Sequence, residues 1–370
     1  MFVHVCLFVL LLLLPLCSWS AGEADETRAW LETVSSTLNE TFFRELKPWH
    51  LMFHYGGMLG NSFERPRYLK VGACDGVSDV FVENFVRPHQ KWEAVLVEPV
   101  PANFRALEKH VDDSKMRART TTVNAAVMDK CPPSNTLPLI VPVFEQRYPD
   151  LPHWLRRQLA SLHAPNMTFI NQILDTYPAA TAGGKKSNRT VEELFNTVQV
   201  PCVAANQLTA KWPSSSSSSS PLASTAAAAA AATGQARPHF LMIDAEGADA
   251  DIALALIGRR VPSHLLPLAL HVEIKTLGAP LLSALKKALT VRGYYYSAFH
   301  DAAGKVEGDV FAVLMRGGGG GGGGGRPNAR QQWQRTGRQR PQTAGRTAAE
   351  AGAGAGAASR ASSSSPPALT

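Results

Sequence analysis

From Tyr68 onward the chain repeats one pattern, a short apolar run that ends abruptly and is followed by a stretch with helical spacing. The runs are "YLKVGA", "EAVLVEP", "TTTVNAAVM", "HFLMIDAEG" and "LALHVEIK". Stretches such as "PANFRALEKHV" and "PLLSALKKALTVRG" carry the helical spacing. Strands alternating with helices predict a parallel sheet covered by helices on both faces, a doubly wound α/β domain. A last pair of runs, "YYYSAFH" and "DVFAVLM", is joined by "DAAGKVEG". That link is too short for a crossover helix, so the pair is expected to form an antiparallel hairpin.

The rest of the chain bounds this domain. Of 370 residues, the biased segments cannot build a core, which leaves one globular unit over residues 65–316. Residues 1–21 hold the apolar run "FVHVCLFVLLLLLPLC" followed by small residues, the pattern of a secretory signal peptide, with a retained signal anchor as the alternative. Residues 22–64 form an N-terminal helical segment, in which Trp30, Leu31, Val34, Leu38 and Phe42 recur at three- and four-residue steps and predict a packing helix over residues 22–50. An insertion over residues 130–238 separates the third and fourth strands and is expected to add a helix or two. Its serine- and alanine-rich part, residues 213–237, has nothing to bury and reads as a solvent-exposed excursion. Residues 317–370 form a Gly/Arg/Ala/Ser-rich tail that is disordered by composition.

The net charge of +7 has a local origin. From Arg316 to Thr370 there are eight arginines and one glutamate, so the tail carries +7 and the remainder sums to zero. A neutral body argues against a fold that reads DNA or RNA, and no nucleic-acid partner is expected. Sequons at Asn39, Asn166 and Asn188 add weight to a secretory route through the ER or Golgi lumen, or to secretion. Past the signal three cysteines remain. Cys131 with Cys202 is the expected disulfide, because Cys74 sits in a glycine bend. No zinc-ligand spacing occurs, and no metal is expected.

That bend, Gly72-Ala-Cys-Asp-Gly76, ends the first strand and must turn sharply into the next helix. Glycine permits such a backbone and lets a ligand come close to the main chain. The spacing lacks the third glycine of the dinucleotide fingerprint, and Asp75 would repel phosphate and attract a cation. S-adenosylmethionine (SAM) fits better, since it carries a sulfonium and an ammonium and no phosphate. Glu98, 22 residues past Gly76 and at the end of "AVLVEP", is placed to accept both ribose hydroxyls. Asp244 and Glu246 close the fourth strand and Glu273 the fifth. In an open parallel sheet this edge faces the ligand crevice.

Taken in order, these segments resemble the FkbM-type SAM-dependent methyltransferases. Val71-Gly-Ala-Cys-Asp-Gly76 is similar to the family's glycine motif and Glu98-Pro-Val-Pro-Ala-Asn-Phe104 to its E-P-x-P-x-x-F segment. Asn124-Ala-Ala126 matches the end of the third strand, and Ile243-Asp-Ala-Glu-Gly247 is similar to I-D-x-E-G. Val272-Glu-Ile274 and the return at Asp309-Val-Phe311 complete the series, while Ala248-Asp249 replaces the usual alanine and glutamate. The resemblance implies a class I methyltransferase fold, a Rossmann-like seven-stranded sheet with its last strand antiparallel. It also implies SAM as cofactor and transfer of methyl groups to hydroxyls of sugars and related acceptors.

By the same resemblance Gly72, Asp75 and Gly76 would cradle the methionine portion, Glu98 the ribose, and Ala126 with its neighbours the adenine, with Val71, Ala73 and Pro99 also counted among the cofactor-binding residues. Asp244 is the first candidate for proton acceptor, with Glu246 and Glu273 orienting the acceptor substrate. His271 would lie on the strand face of Glu273 and reads first as a packed residue; three acids in reach of one another could also hold a divalent cation. Tyr148, His153, Trp154 and Phe169 of the insertion could form a lid, although a small core of their own is the simpler reading. Two rival functions remain at this point, an NAD-dependent oxidoreductase and a catalytically silent SAM-fold protein that binds a glycan or a partner.

Overall fold

The central strands of the main sheet are buried along almost their whole length, and helices cover both faces of that sheet. The computed structural model describes residues 23–38, 43, 46–144, 148, 150–162, 164–177, 189–213, 236–275, 277–300 and 306–315. The chain divides into two units, Met1–Gly319 and Gly320–Thr370, and the second lies wholly outside the described residues. So do residues 1–21, the sequons at Asn39 and Asn188, and most of the serine- and alanine-rich stretch.

Two helices open the described chain, α1 (Glu23–Thr37) and α2 (Pro48–Ser62). The single helix expected over residues 22–50 is therefore two: α1 stops at Thr37, and Pro48 at a first helical position starts another. Trp30 and Val34 are fully buried, as their spacing predicted. Next come β1 (Arg67–Val71), a single π-helical turn at Val82–Val86, β2 (Glu93–Val97), α3 (Pro101–Asp113) and β3 (Thr120–Val123). The third apolar run is also two elements, because after β3 the chain breaks at Asn124 and resumes as β4 (Ala126–Met128), which pairs elsewhere. Asn124 causes the break by turning its amide Nδ2 onto the carbonyls of Glu98 (2.8 Å) and Pro99 (3.2 Å).

The insertion follows with β5 (Thr136–Pro142), α4 (His153–Arg157), α5 (Met167–Leu174), α6 (Val191–Leu194), β6 (Phe195–Ala204) and α7 (Ala205–Leu208). It holds more than the expected helices. β6 pairs antiparallel with β5 through its first half and parallel with β4 at its end, giving a three-stranded sheet in the order β4-β6-β5. A disulfide between Cys131 and Cys202 ties this sheet together, as expected, with Cα atoms 5.7 Å apart. Tyr148 packs on a separate small core of Phe144, Leu151, Leu155, Ile170, Leu174, Leu194 and Phe195. For Tyr148 the core reading is the right one.

The chain then returns to the main sheet with β7 (Phe240–Ile243), α8 (Asp249–Ile257), β8 (Ala269–Glu273), α9 (Ala279–Val291), β9 (Tyr294–His300) and β10 (Val306–Leu314). The seven strands run in the order β3-β2-β1-β7-β8-β10-β9. All pairs are parallel except those of β10, which runs antiparallel to both neighbours. This is the class I methyltransferase sheet, with the order reversing beside β1 and the final strand inverted. Its core is aromatic: Tyr68, Phe81 and Phe240 stack with ring centroids 4.5 and 4.6 Å apart. Burial of such rings supplies most of the stabilising free energy, at about 25 cal/mol per Å² of apolar surface. No helix among the described residues is long and apolar enough to cross a membrane.

The short link from α2 to β1 fixes a direction. Only residues 63–66 separate them, so α2 ends at the amino edge of the sheet and begins, about 22 Å away, at the carboxyl edge. Gly60 accordingly abuts Trp92, just before β2, while the ring of Trp49 lies 5.8 Å from that of His271, midway along β8, at a tilt of 44°.

Candidate active site

The strand order reverses between β1 and β7, the place where an open parallel sheet receives its ligand, and beyond the carboxyl ends of these strands the chain sets two banks of residues against each other. The first bank is the elbow after β1. Gly72 and Ala73 donate their N–H groups to the Val97 carbonyl, both at 3.0 Å, which bends the chain across the end of β2. Gly72, Cys74 and Gly76 all have positive φ, at 79°, 52° and 78°. A Cβ at Gly72 would stand 1.8 Å from the carbonyl oxygen of Asp244. Glycine is therefore needed here for the approach of the second bank, and that contact takes the place expected for a ligand against the main chain.

Glu98 reaches the elbow directly. Its Oε2 accepts from the Cys74 N–H at 2.8 Å, and its Oε1 accepts from Val100 N–H at 2.9 Å and from Asn103 Nδ2 at 3.5 Å. Burial pushes its carboxyl up to about 7 in spite of these donors. Pro99 follows it, and Ala126, buried at the start of β4, pairs with Cys202. Asp75 is less open than its sequence position implies. Its Oδ1 accepts from Val77 N–H, Ser78 N–H and the Ser78 hydroxyl, and its Oδ2 lies 3.8 Å from the Arg157 guanidinium. The cation beside Asp75 is thus supplied by the chain itself. Cys74 is a buried thiol pushed by burial up to about 12, which makes it inert at neutral pH.

The second bank is the loop after β7 with the end of β8. Asp249, fully buried, holds the loop shut by accepting from Ala245 N–H at 2.7 Å and Gly247 N–H at 2.9 Å, while Glu246 takes a positive φ of 45°. Asp244, Glu246 and Glu273 offer carboxylate oxygens that all lie within 4.8 Å of one another. Strand register explains the gathering: Ile243 and Val272 are cross-strand partners, so the residues just after them meet at the edge, and Asp309 on β10 stands opposite Glu273.

Two lysines sit among these acids. Lys70, in the middle of β1 and only 4% exposed, places its ammonium 3.6 Å from Asp244 Oδ2. Lys275 pairs with Glu273. Asp244 keeps 43% side-chain exposure, yet it lies in a recess where burial is the largest influence on its acidity. The Lys70 ammonium and a shared proton from Glu273 outweigh that burial and hold Asp244 below its usual value. The neighbours go the other way. Burial and then the Asp244 charge raise both Glu273 and Glu246, the latter to about 8, and burial lifts Asp309 to about 6. At neutral pH Asp244 is ionised, with a buried ammonium beside it, while Glu246 and Glu273 keep their protons. The oxygens are close enough for one divalent cation, but two ammonium groups already offset their charge, and the set suits proton transfer better.

The insertion crosses from one bank to the other. Asn103 Nδ2 donates to the Arg157 carbonyl at 3.1 Å, and Gln158 Nε2 donates to the Ser78 hydroxyl at 3.2 Å. The Ser161 hydroxyl donates to the Glu246 carbonyl at 2.8 Å, and its main chain exchanges two 2.9 Å hydrogen bonds with Ile140 of β5. Residues 157–161 thus form a strap above the crevice, moored to the second sheet. The strap, Lys70 and Asp309 were not among the site residues expected from sequence. A lysine inside the apolar run "YLKV" was the one legible signal.

No protein-family profile matches this chain, and no curated protein does. Among solved structures it is similar to a human methyltransferase 10 domain-containing protein, at 11% identity over 80% of this chain and 100% of that one, with a TM-score of 0.32. It is likewise similar to the FkbM methyltransferase of Methylobacillus flagellatus KT (10% identity, 78% of this chain and 59% of that one, TM-score 0.32). An O-methyltransferase of Bacillus cereus in complex with SAH is a third (8% identity, 80% and 93%, TM-score 0.29). The fold stands on its own strand order and register.

Proposed function

We propose that this chain is a SAM-dependent O-methyltransferase acting on a hydroxyl of a sugar or related acceptor. The observation that carries the reading is the contact of Glu98 with the elbow, which sets a buried acid for a ribose against the glycine bend at the reversal of strand order. A dinucleotide is disfavoured because the elbow from Gly72 to Gly76 lacks the third glycine of the fingerprint that seats a pyrophosphate. The structural neighbours named above are methyltransferases, one of them in complex with SAH.

SAM supplies a methyl carbon already activated by its sulfonium. The chain must align an acceptor hydroxyl with it, exclude water and receive the proton. Asp244 is the ionised carboxylate at the edge and takes the proton from the acceptor oxygen. Glu246 and Glu273, protonated at neutral pH, donate hydrogen bonds that orient the acceptor. The strap at 157–161 covers the crevice, and Arg157 yields its place beside Asp75 to the cationic donor. A secretory location accords with the Cys131–Cys202 disulfide and with the exposed sequon at Asn166.

Titration calorimetry of the purified chain with SAM and with NAD tests the cofactor. Binding of NAD in place of SAM would overturn the reading, and binding of neither would leave a silent fold. Incubation with labelled SAM and a glycan panel then identifies the acceptor by the product that carries the methyl.

A further inference from the structure

The proposed reaction leaves unassigned a group of side chains next to the acids. Trp49 opens α2 at the carboxyl edge and remains 41% exposed, although its ring lies 5.8 Å from that of His271. His271 is 2% exposed, neither of its ring nitrogens has a hydrogen-bond partner, and its Nε2 is 3.7 Å from Asp309 Oδ2. Burial, then the nearby Lys70 ammonium, holds His271 down to about 3, so the ring is neutral and supports the indole from a plane tilted by 44°. Glu273, two residues further along β8, faces Asp309 across the strand pair. An exposed indole is thus propped on a buried imidazole at the rim of a row of carboxyl groups.

Indole faces attract the C–H face of a saturated ring, while carboxyl groups pair with ring hydroxyls, so the two together select a molecule with one apolar face and a hydroxylated edge. We propose that Trp49 is the platform on which the acceptor ring stacks, with Asp309 and Glu273 holding its hydroxyls and His271 fixing the indole from behind. This rests on the function proposed above and deepens it: the acceptor is a pyranose-like ring, bound on the α2 side of the crevice, and an open-chain polyol is excluded. Trp49 is a specificity-determining residue, and His271 is a positioning residue that acts through it.

The test uses the full chain loaded with S-adenosylhomocysteine and reads affinity by calorimetry and saturation-transfer NMR. The probes are methyl glycosides of common hexoses and 6-deoxyhexoses, with mannitol as the open-chain control. Trp49→Ala is expected to weaken pyranoside binding about tenfold, the upper range for aromatic stacking, and Trp49→Phe to retain most of it. Affinity for S-adenosylhomocysteine should stay constant, which also reports that the variants fold. Equal pyranoside affinity in Trp49→Ala would overturn the proposal, as would an equal loss for mannitol or the absence of pyranoside binding to the unaltered chain. Failure of the unaltered chain to bind either SAM or its demethylated product would instead count against the methyltransferase reading, whatever Trp49→Ala does to pyranosides.

Discussion

The seven-stranded sheet and the three-stranded sheet of the insertion are built on different principles. In the large sheet β1, β2, β7 and β8 are apolar almost throughout and buried on both faces, so its strands hold their places by burial. In the small sheet β5 and β6 are half exposed, carry Pro138, Pro142 and Pro201, and share a core of four buried residues, Val100, Ala126, Leu139 and Val200. A covalent bond at Cys131–Cys202 does there what burial does in the large sheet. The lesson is a division of labour: the large sheet carries the clustered acids of the proposed site, and the small one moors the strap at residues 157–161.

Changes that hit one sheet or the other should separate these roles. Gly72→Ala has the largest expected effect, because its Cβ meets the Asp244 carbonyl at a positive φ; a loss of about 3 kcal/mol or more of stability is expected in denaturant titration, with both banks disturbed. A variant that melts like the parent would show that the banks are not coupled. Asp244→Asn should lower turnover about 100-fold or more while SAM affinity changes little, measured by single-turnover transfer and calorimetry. Unchanged turnover would remove Asp244 from the chemistry.

Replacing both Cys131 and Cys202 by Ser should be milder. The cost is about 2–4 kcal/mol, confined to the insertion, so hydrogen exchange should rise in β5, β6 and residues 157–161 and stay flat in β1 and β7. Uniform exchange across both sheets would break the comparison.

Smaller still is the response to pH. Glu98, Asp309 and Glu246 are raised to about 7, 6 and 8, chiefly by burial, whereas in the unfolded chain such acids titrate near 4. From about pH 7 to pH 8, above the range in which the neutral His271 and His239 pull the other way, the folded form therefore binds more protons than the unfolded one, and the thermal midpoint should fall as pH rises; Glu246→Gln should flatten part of that slope. A midpoint that climbs over this window would contradict the protonated acids at the site. The smallest effect is expected from deleting residues 214–235. The chain leaves at Trp212 and returns at Ala236, whose carbonyl accepts from the Trp212 indole at 2.9 Å, so the gap closes without strain. Melting temperature and SAM affinity should both be retained.

The same contrast explains what could be read from sequence. The large sheet was legible because continuous apolar runs ending in Gly72, Glu98, Asp244 and Glu273 have few other ways to fold, and the short hairpin link forced β10 to invert. β5 and β6 were hidden by their prolines, which argue against strand interiors. They are tolerated because β5 is an edge and Pro201 sits where β6 changes partner from β5 to β4. The convergence of Asp244, Glu246 and Glu273 followed from strand ends alone. What escaped were contacts between distant segments: Arg157 beside Asp75, Asn124 splitting the third run, and Lys70 beneath Asp244. Sequence order gives no distance between positions 75 and 157, and a lysine in a strand shows its partner only after β7 has been laid beside β1.

Main chain meets main chain where Gly72 touches Asp244, with no side chain between them to yield. That corner can widen only by prising two neighbouring strands apart, so guests of different size cannot be accommodated there. Any tolerance for varied guests has to come from above, where the covering segment meets both banks through single side-chain contacts that can let go one at a time.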